Sequence, residues 1–216
     1  MARKEETAVA TVALKSVAAF SDEDVSRGGV SMSDLVMPRA LILHKMSDDV
    51  GKDLQPGMII NSISKDALGA RLIPLFFYKN YAKFNKGEKT PEWSTLDGND
   101  VRVRDGLQWL DEVNDGKPTV TEFINVLAVF SDVIGKFDTD VPLILSFKRK
   151  SLKSGKMFLT LTEMKPKPIY TNVYAVDLVE EKNDLGAYFV PKISVAKSAK
   201  VSDDISTVCA DLVARF

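Results

Sequence analysis

Short runs of alternating apolar and polar residues recur along most of the chain, which is the pattern of half-buried β-strands. We predict strands over 39–46, 57–63, 70–84, 119–130, 141–148, 169–180 and 186–195. Turn-forming residues lie between them at 55–57, 96–99 and 181–184. The last two runs flank such a turn and predict a hairpin, and the series as a whole favours an antiparallel barrel or sandwich.

Two segments have helical spacing instead. Ser151 can cap a helix that runs to about Glu163, in which Gly155 costs about 1 kcal/mol of helix stability. A second helix is predicted over 202–216, because Ser202 can cap it and apolar residues recur on one side as far as Phe216. This apolar stripe must cover either the barrel or a neighbouring subunit. We interpret 1–32 as a flexible N-terminal arm and 33–216 as a single domain that includes this last helix.

The stretch from Arg71 to Lys89 mixes aromatic and basic residues and holds one acid, Glu88. In a strand, alternate side chains face opposite sides. The first side would carry Phe76, Tyr78, Ala82 and Phe84. The second side would carry Lys79, Tyr81 and Lys83. Single-stranded nucleic acids are bound by cations that follow the phosphates and rings that stack on bases, so the second side is a candidate binding surface. The alternative is an exposed hairpin whose lysines discourage edge pairing.

Composition bounds these interpretations. The 216 residues are 45% hydrophobic and carry a formal net charge of −1, which suits one globular core and excludes a histone-like polycation. The charge is segregated, because 145–167 is strongly basic whereas 97–115 is mostly acidic. The apolar run 8–20 is interrupted by Lys15 and is too short to span a bilayer, so we expect no membrane association.

The inventory of reactive residues is small. Cys209 is the one cysteine and lies on an apolar helix face, so we expect a buried thiol in a reducing compartment. His44 is the one histidine and alternates with apolar neighbours, which favours a structural role over general-base catalysis. Asp140 followed by Glu163-Met164-Lys165 is similar to the arrangement of acids and lysine that binds a metal ion in some nucleases. This spacing is of low specificity, and residues 138–140 are typical of a turn. We therefore expect no catalysis, no metal and no cofactor.

Several segments, taken in order, resemble a family of phage proteins that are in part described as single-stranded-DNA-binding. They are PRALILHKMS, QPGMIINSISKDALGARLIPLFFYKNYAKFN, VPLILSFKRKSLKSGKMFLTL and PIYTNVYAVDLVEEKNDLGAYFVPKI. Phe84 stands where the family pattern has tryptophan, and Lys150-Ser151 where it has a Ser-Thr pair. Such proteins often end in a flexible acidic tail, whereas this sequence ends in the predicted amphipathic helix.

The resemblance implies an α+β, β-dominated fold, an elaborated OB-like antiparallel barrel with a basic helix and a C-terminal amphipathic helix. It implies sequence-tolerant, non-catalytic binding of single-stranded DNA during phage replication or recombination, in the cytoplasm of the infected host cell. The expected DNA-binding residues are Tyr78, Lys79, Tyr81, Lys83, Phe84, Lys86, Arg149, Lys150, Lys153 and Lys156. Tyr170, Tyr174 and Tyr188 are either further stacking rings or core.

The candidate partners are single-stranded DNA, a second copy of the chain in a homo-oligomer, and replication or recombination proteins. The alternative is a phage structural or assembly protein. In that case the N-terminal arm and C-terminal helix mediate oligomer contacts, and the basic runs are merely solvated.

Overall fold

The computed structural model describes residues 36–51, 53–88, 90–108, 117–165, 167–183 and 186–214. The predicted arm 1–32 and Phe216 lie outside these residues. The strands are β1 Ala40–Ile42, β2 Ile59–Asn61, β3 Ala67–Leu68, β4 Arg71–Phe84, β5 Pro91–Thr95, β6 Val120–Phe130, β7 Leu143–Lys148, β8 Asn172–Asn183 and β9 Gly186–Lys200. The helices are α1 Val101–Gly106, α2 Leu152–Glu163 and α3 Asp203–Ala214.

The chain forms two compact units. The larger unit comprises residues 36–78 and 124–216, and the smaller unit includes residues 79–123. In the larger unit β1, β2 and β3 form one antiparallel sheet, and a second sheet has the strand order β7-β6-β4-β8-β9. In the smaller unit β5 pairs with the end of β4, from Tyr81 opposite Thr95 to Phe84 opposite Pro91.

The strand pattern was predicted well wherever alternation was strong. Each predicted run contains an observed strand, and the predicted hairpin is confirmed by the antiparallel pairing of β8 with β9. The predicted turn at 55–57 is also confirmed, with Gly57 at a φ of +87°, where glycine is favoured. β3, β5 and α1 were not predicted, because two to six residues are too few to establish a period.

A closed OB-like barrel is not confirmed, since neither sheet closes on itself in the described part of the chain. The strands at the two ends of the larger sheet are covered instead. Helix α2 packs against both β7 and β9. The segment 38–44, which contains β1, reaches both as well: the Ile144 N–H donates to the Pro38 carbonyl at 3.0 Å, and the Phe189 N–H donates to His44 Nδ1 at 3.1 Å. Helix α2 and the segment 38–44 therefore each contact both of the strands that a barrel would have joined.

The larger unit buries both faces of its main sheet. Along β6, Ile124, Val126 and Ala128 face a cluster that contains Phe158 of α2, and the alternate residues Leu127 and Val129 face α3. On the α3 side the cluster is completed by Cys209 and Leu212. The C-terminal stripe is thus core of this chain. Val208 lies at the margin of this stripe and is 39% exposed.

A change of phase in β4 alters the predicted faces. Leu75 and Phe76 are consecutive, yet both pack on the α3 side, and Phe77 packs on the α2 side, where its ring meets that of Phe158 at 5.0 Å. Strict alternation cannot place two neighbours on one side. The simple assignment of odd and even residues to two faces therefore fails in this strand.

Candidate nucleic-acid interface

The turn that joins β7 to α2 is held by Ser151. Its Oγ accepts from the Lys148 N–H and donates to the Lys148 carbonyl, both at 2.9 Å. Ser151 was predicted to cap α2, and it does hold the position before the helix, but its hydroxyl closes this turn instead. Within the turn Arg149 has a φ of +49°, a left-handed conformation that is costly for a residue with a side chain. Arg149 and Lys150 are both exposed there.

Helix α2 presents its lysines to solvent because its other side is buried. Gly155, Phe158 and Thr162 face the sheet, whereas Lys153 and Lys156 are exposed. The first turn contains no acid, so cations stand where a helix dipole favours anions. The predicted basic helix and its end at Glu163 are confirmed.

Two further cations, Arg39 and Lys148, extend this region. Partial burial lowers the pKa of Lys148, and repulsion from Arg149 and Arg39 lowers it further. Burial raises the pKa of Tyr78, while the positive charge of Arg39 acts in the opposite direction, so Arg39 lies near Tyr78 as well. We call the set Arg39, Lys148, Arg149, Lys150, Lys153 and Lys156 the basic surface. Arg39 was missed in the sequence because its pairing with Ile144 of β7 joins distant parts of the chain.

Few of these charges are neutralised locally. Within the described ranges, no carboxylate forms an ion pair with Arg39, Arg149, Lys150, Lys153 or Lys156, whereas such pairs do form at Lys45, Lys65, Lys79, Lys83, Arg102, Arg104 and Lys167. Cations that repel one another destabilise the compact state. This arrangement is suited to a polyanion, which would remove the repulsion.

The predicted strand residues of the smaller unit have different surroundings. The Lys79 Nζ lies 2.8 Å from a Glu122 carboxylate oxygen, and the hydrogen bond between them raises the pKa of Lys79. The Lys83 Nζ lies 2.9 Å from Glu92. Lys79 is exposed and Lys83 is half-buried, and each carries its own counterion. Lys86 is exposed in the turn after β4.

Tyr81 was expected on an exposed side, and that expectation is wrong. The residue is 9% exposed and forms a small core with Val103 of α1 and Val120 of β6. Helix α1 was not predicted, so nothing in the sequence indicated what would cover this side of the strand. Phe84 is half-buried, with its ring 6.2 Å from that of Phe123. Tyr81 is therefore unavailable for stacking on a base.

The site residues predicted from sequence thus fall into two groups. Tyr78, Arg149, Lys150, Lys153 and Lys156 belong to the larger unit, and Lys79, Tyr81, Lys83, Phe84 and Lys86 belong to the smaller one. Of the other tyrosines, Tyr174 is fully buried, Tyr170 is half-buried against the α3 side, and the Tyr188 hydroxyl donates to Glu181 at 2.7 Å.

The remaining reactive groups have structural surroundings. His44 Nδ1 accepts a backbone hydrogen bond, and burial followed by the charge of Lys148 lowers its pKa. Burial raises the pKa of the Cys209 thiol to about 11, as expected for a core residue. The Asp138 carboxylate accepts from the Asp140 N–H at 3.0 Å, which confirms a turn at 138–140. Among the residues the structure describes, no cluster of acids, His and Cys could hold a metal ion.

Comparison with known proteins places the chain among phage proteins. The model of one family matches residues 4–207, and the family is described as Pam3 phage gp34-like protein. The chain belongs to this family. No curated protein matches the chain, and no solved structure matches it. No helix in the described part of the chain has the length and apolar character needed to cross a membrane.

Proposed function

We propose that this phage protein binds single-stranded DNA, without catalysis and with little sequence preference, through the basic surface and the adjacent ring of Tyr78. The observation that supports the proposal is the grouping of Arg39, Arg149, Lys150, Lys153 and Lys156, none of which forms an ion pair with a carboxylate among the described residues, around the turn before α2. Phosphates would lie along Arg149, Lys150, Lys153 and Lys156, and Arg39 would hold a phosphate beside Tyr78.

Tyr78 supplies the aromatic element of this site. Its side chain is half-buried, and its ring lies 6.0 Å from that of Phe76, so it is held in place while part of it faces solvent. A base stacked on a ring contributes roughly 1–3 kcal/mol, and stacking accepts every base. Lys79 and Lys83 would contribute less, because each would have to exchange a carboxylate for a phosphate.

The setting we propose is DNA replication or recombination in the cytoplasm of the infected host cell, where single strands are exposed. A homo-oligomer and contacts with replication or recombination proteins are compatible with this role. Tolerance of sequence would follow from contacts to phosphates and base faces rather than base edges.

The test is a titration of fluorescently labelled single-stranded and duplex DNA of equal length, followed by anisotropy. We expect preferential binding of the single strand, with an affinity that falls with salt at a slope of about −0.7 per contacted phosphate. No binding at low salt, or equal affinity for both forms, would contradict the proposal.

A charge-reversal pair locates the site. Lys153→Glu with Lys156→Glu should weaken binding by at least about tenfold, since two phosphate contacts become repulsive. The matched control is Lys182→Glu with Lys192→Glu, which makes the same charge change on the β8–β9 hairpin. Equal losses in the two pairs would indicate an effect of net charge and would overturn the assignment of the basic surface.

One observation favours the alternative role in phage structure or assembly. In the loop after β6, Val133 is 71% exposed and Ile134 is 86% exposed. The loop is ordered by Asp132, whose carboxylate accepts from the N–H groups of Ile134 and Lys136. If DNA binding fails, light scattering of Ile134→Asp against the unmodified protein would test whether these side chains form an oligomer contact.

A further inference from the structure

We infer that the smaller unit contains a second contact for single-stranded DNA, a guanidinium platform at Arg102 on which one unpaired base stacks. This inference rests on the proposed function and concerns residues outside the basic surface. It starts from the Arg102 guanidinium carbon, which lies 4.7 Å from the centroid of the Trp93 ring. The guanidinium thus lies over the indole ring.

The edge of the same guanidinium is held by Asp100. Arg102 Nη2 lies 2.6 Å from Asp100 Oδ2, and Arg102 Nε donates to Asp100 Oδ1 at 3.1 Å. Asp100 is itself fixed, because Oδ1 also accepts from the Arg102 N–H at the start of α1. The plane of the guanidinium is therefore set before any ligand arrives, and little rotamer entropy remains to be lost.

Arg102 is also accessible to solvent. Its side chain is 56% exposed, while Trp93 beneath it packs on the core formed by Tyr81, Val103 and Val120. Planar arginine groups stack on nucleobases as aromatic rings do. The small core, the Trp93 indole and the Arg102 guanidinium thus follow one another outward, and a base could stack on the guanidinium as the next layer.

The charges around the platform favour a base over a phosphate. Asp100 neutralises Arg102, and the neighbouring acids Glu92 and Asp105 are paired with Lys83 and Arg104. The Asp97 carboxylate accepts a hydrogen bond from the Asn99 N–H. With no excess positive charge the surface has little attraction for phosphate, so a flat and uncharged ring is the group that fits.

The experiment compares Arg102→Lys with the unmodified protein on two ligands of equal length, oligothymidylate and an abasic oligodeoxynucleotide. Lysine keeps the charge but loses the planar face. We expect the substitution to weaken binding of oligothymidylate about tenfold, which corresponds to one stacked base, and to leave binding of the abasic strand unchanged. Asp100→Asn, which retains a capping side chain but frees the guanidinium, should show part of the same selective loss.

Two outcomes would overturn the platform. An equal loss on both ligands would mean a phosphate contact or a folding defect, and no loss on either would mean that no base stacks there. In both cases the unmodified protein still binds DNA, and the proposed function stands. If the unmodified protein binds neither ligand, the proposed function and the platform fail together.

Discussion

Gly155 of α2 lies directly against Phe147 of β7, and a Cβ atom at position 155 would come within 2.7 Å of the Phe147 Cβ. Glycine lowers helix propensity, but at this position it lets the helix approach the sheet closely. The close packing of α2 on the sheet also sets the distance of Lys153 and Lys156 from that sheet.

We predict that Gly155→Ala destabilises the protein, although alanine is the better helix former. Overpacking a core costs about 1–3 kcal/mol, which exceeds the gain of up to about 1 kcal/mol in helix propensity. Gly51→Ala is the matched control, because a Cβ there meets nothing within 4 Å. Urea unfolding measures both; a Gly155→Ala protein as stable as the control would show that α2 can shift freely.

Tyr81→Ala should lower the free energy of unfolding by about 3 kcal/mol or more, the range for removing a buried ring. Tyr81→Phe keeps the ring and should cost far less. Thermal denaturation of the two variants, with DNA binding measured well below their melting temperatures, separates folding from recognition. A Tyr81→Ala protein with an unchanged melting temperature and a lost affinity for DNA would place this ring on the binding surface after all.

The C-terminal helix offers a matched pair for testing its role as core. Leu212→Ala removes a buried side chain and should cost about 2–5 kcal/mol, whereas Val208→Ala alters a partly exposed position and should cost under about 1 kcal/mol. Denaturant titration with size-exclusion chromatography checks both. Comparable small losses, with a change of oligomeric state for Leu212→Ala, would indicate that α3 serves a subunit contact.

His44 predicts a pH dependence with a definite sign. Burial, and then the charge of Lys148, lowers the pKa of His44 in the folded protein below its unfolded value of about 6.5. The unfolded chain thus binds more protons between these two values, so stability is full above pH 6.5, falls as the pH drops through that window, and levels off below it.

The variant His44→Asn isolates this effect. Its side-chain oxygen can still accept from the Phe189 N–H, but it does not titrate. Melting temperatures recorded between about pH 8 and pH 5 should therefore fall less steeply in the variant than in the unmodified protein. Parallel curves for the two proteins would exclude His44 as the source of the pH dependence.

The sequence predicted the elements whose period repeats several times and missed those too short for a repeat to be recognised. The ends of β6 were located to within one residue and those of the β8–β9 hairpin to within five, and Ser202 and the apolar stripe located α3. Helix α1 has six residues and was not predicted. Because this helix covers Tyr81, the prediction that Tyr81 is exposed was wrong.

Charge partners were harder to predict than secondary structure. The basic character of α2 follows from its own residues, but the neutralisation of Lys79 by Glu122 depends on which strands become neighbours. The proximity of Arg39 to Lys148 likewise depends on a pairing between distant segments. A basic residue in a sequence is therefore weak evidence for a phosphate contact until its acidic neighbours in space are known.

The contact between His44 and Phe189 also bears on synthesis. The two residues are 145 positions apart, and the segment at 38–44 also needs β7 before its backbone is fully paired. During translation, β1 can pair with β2 early, but Pro38 and His44 leave the ribosome long before β7 and β9 have been made. The Pro38 carbonyl and the His44 ring then lack their partners for much of the elongation time, so we expect yield in the host to depend on elongation rate and on chaperones as well as on final stability.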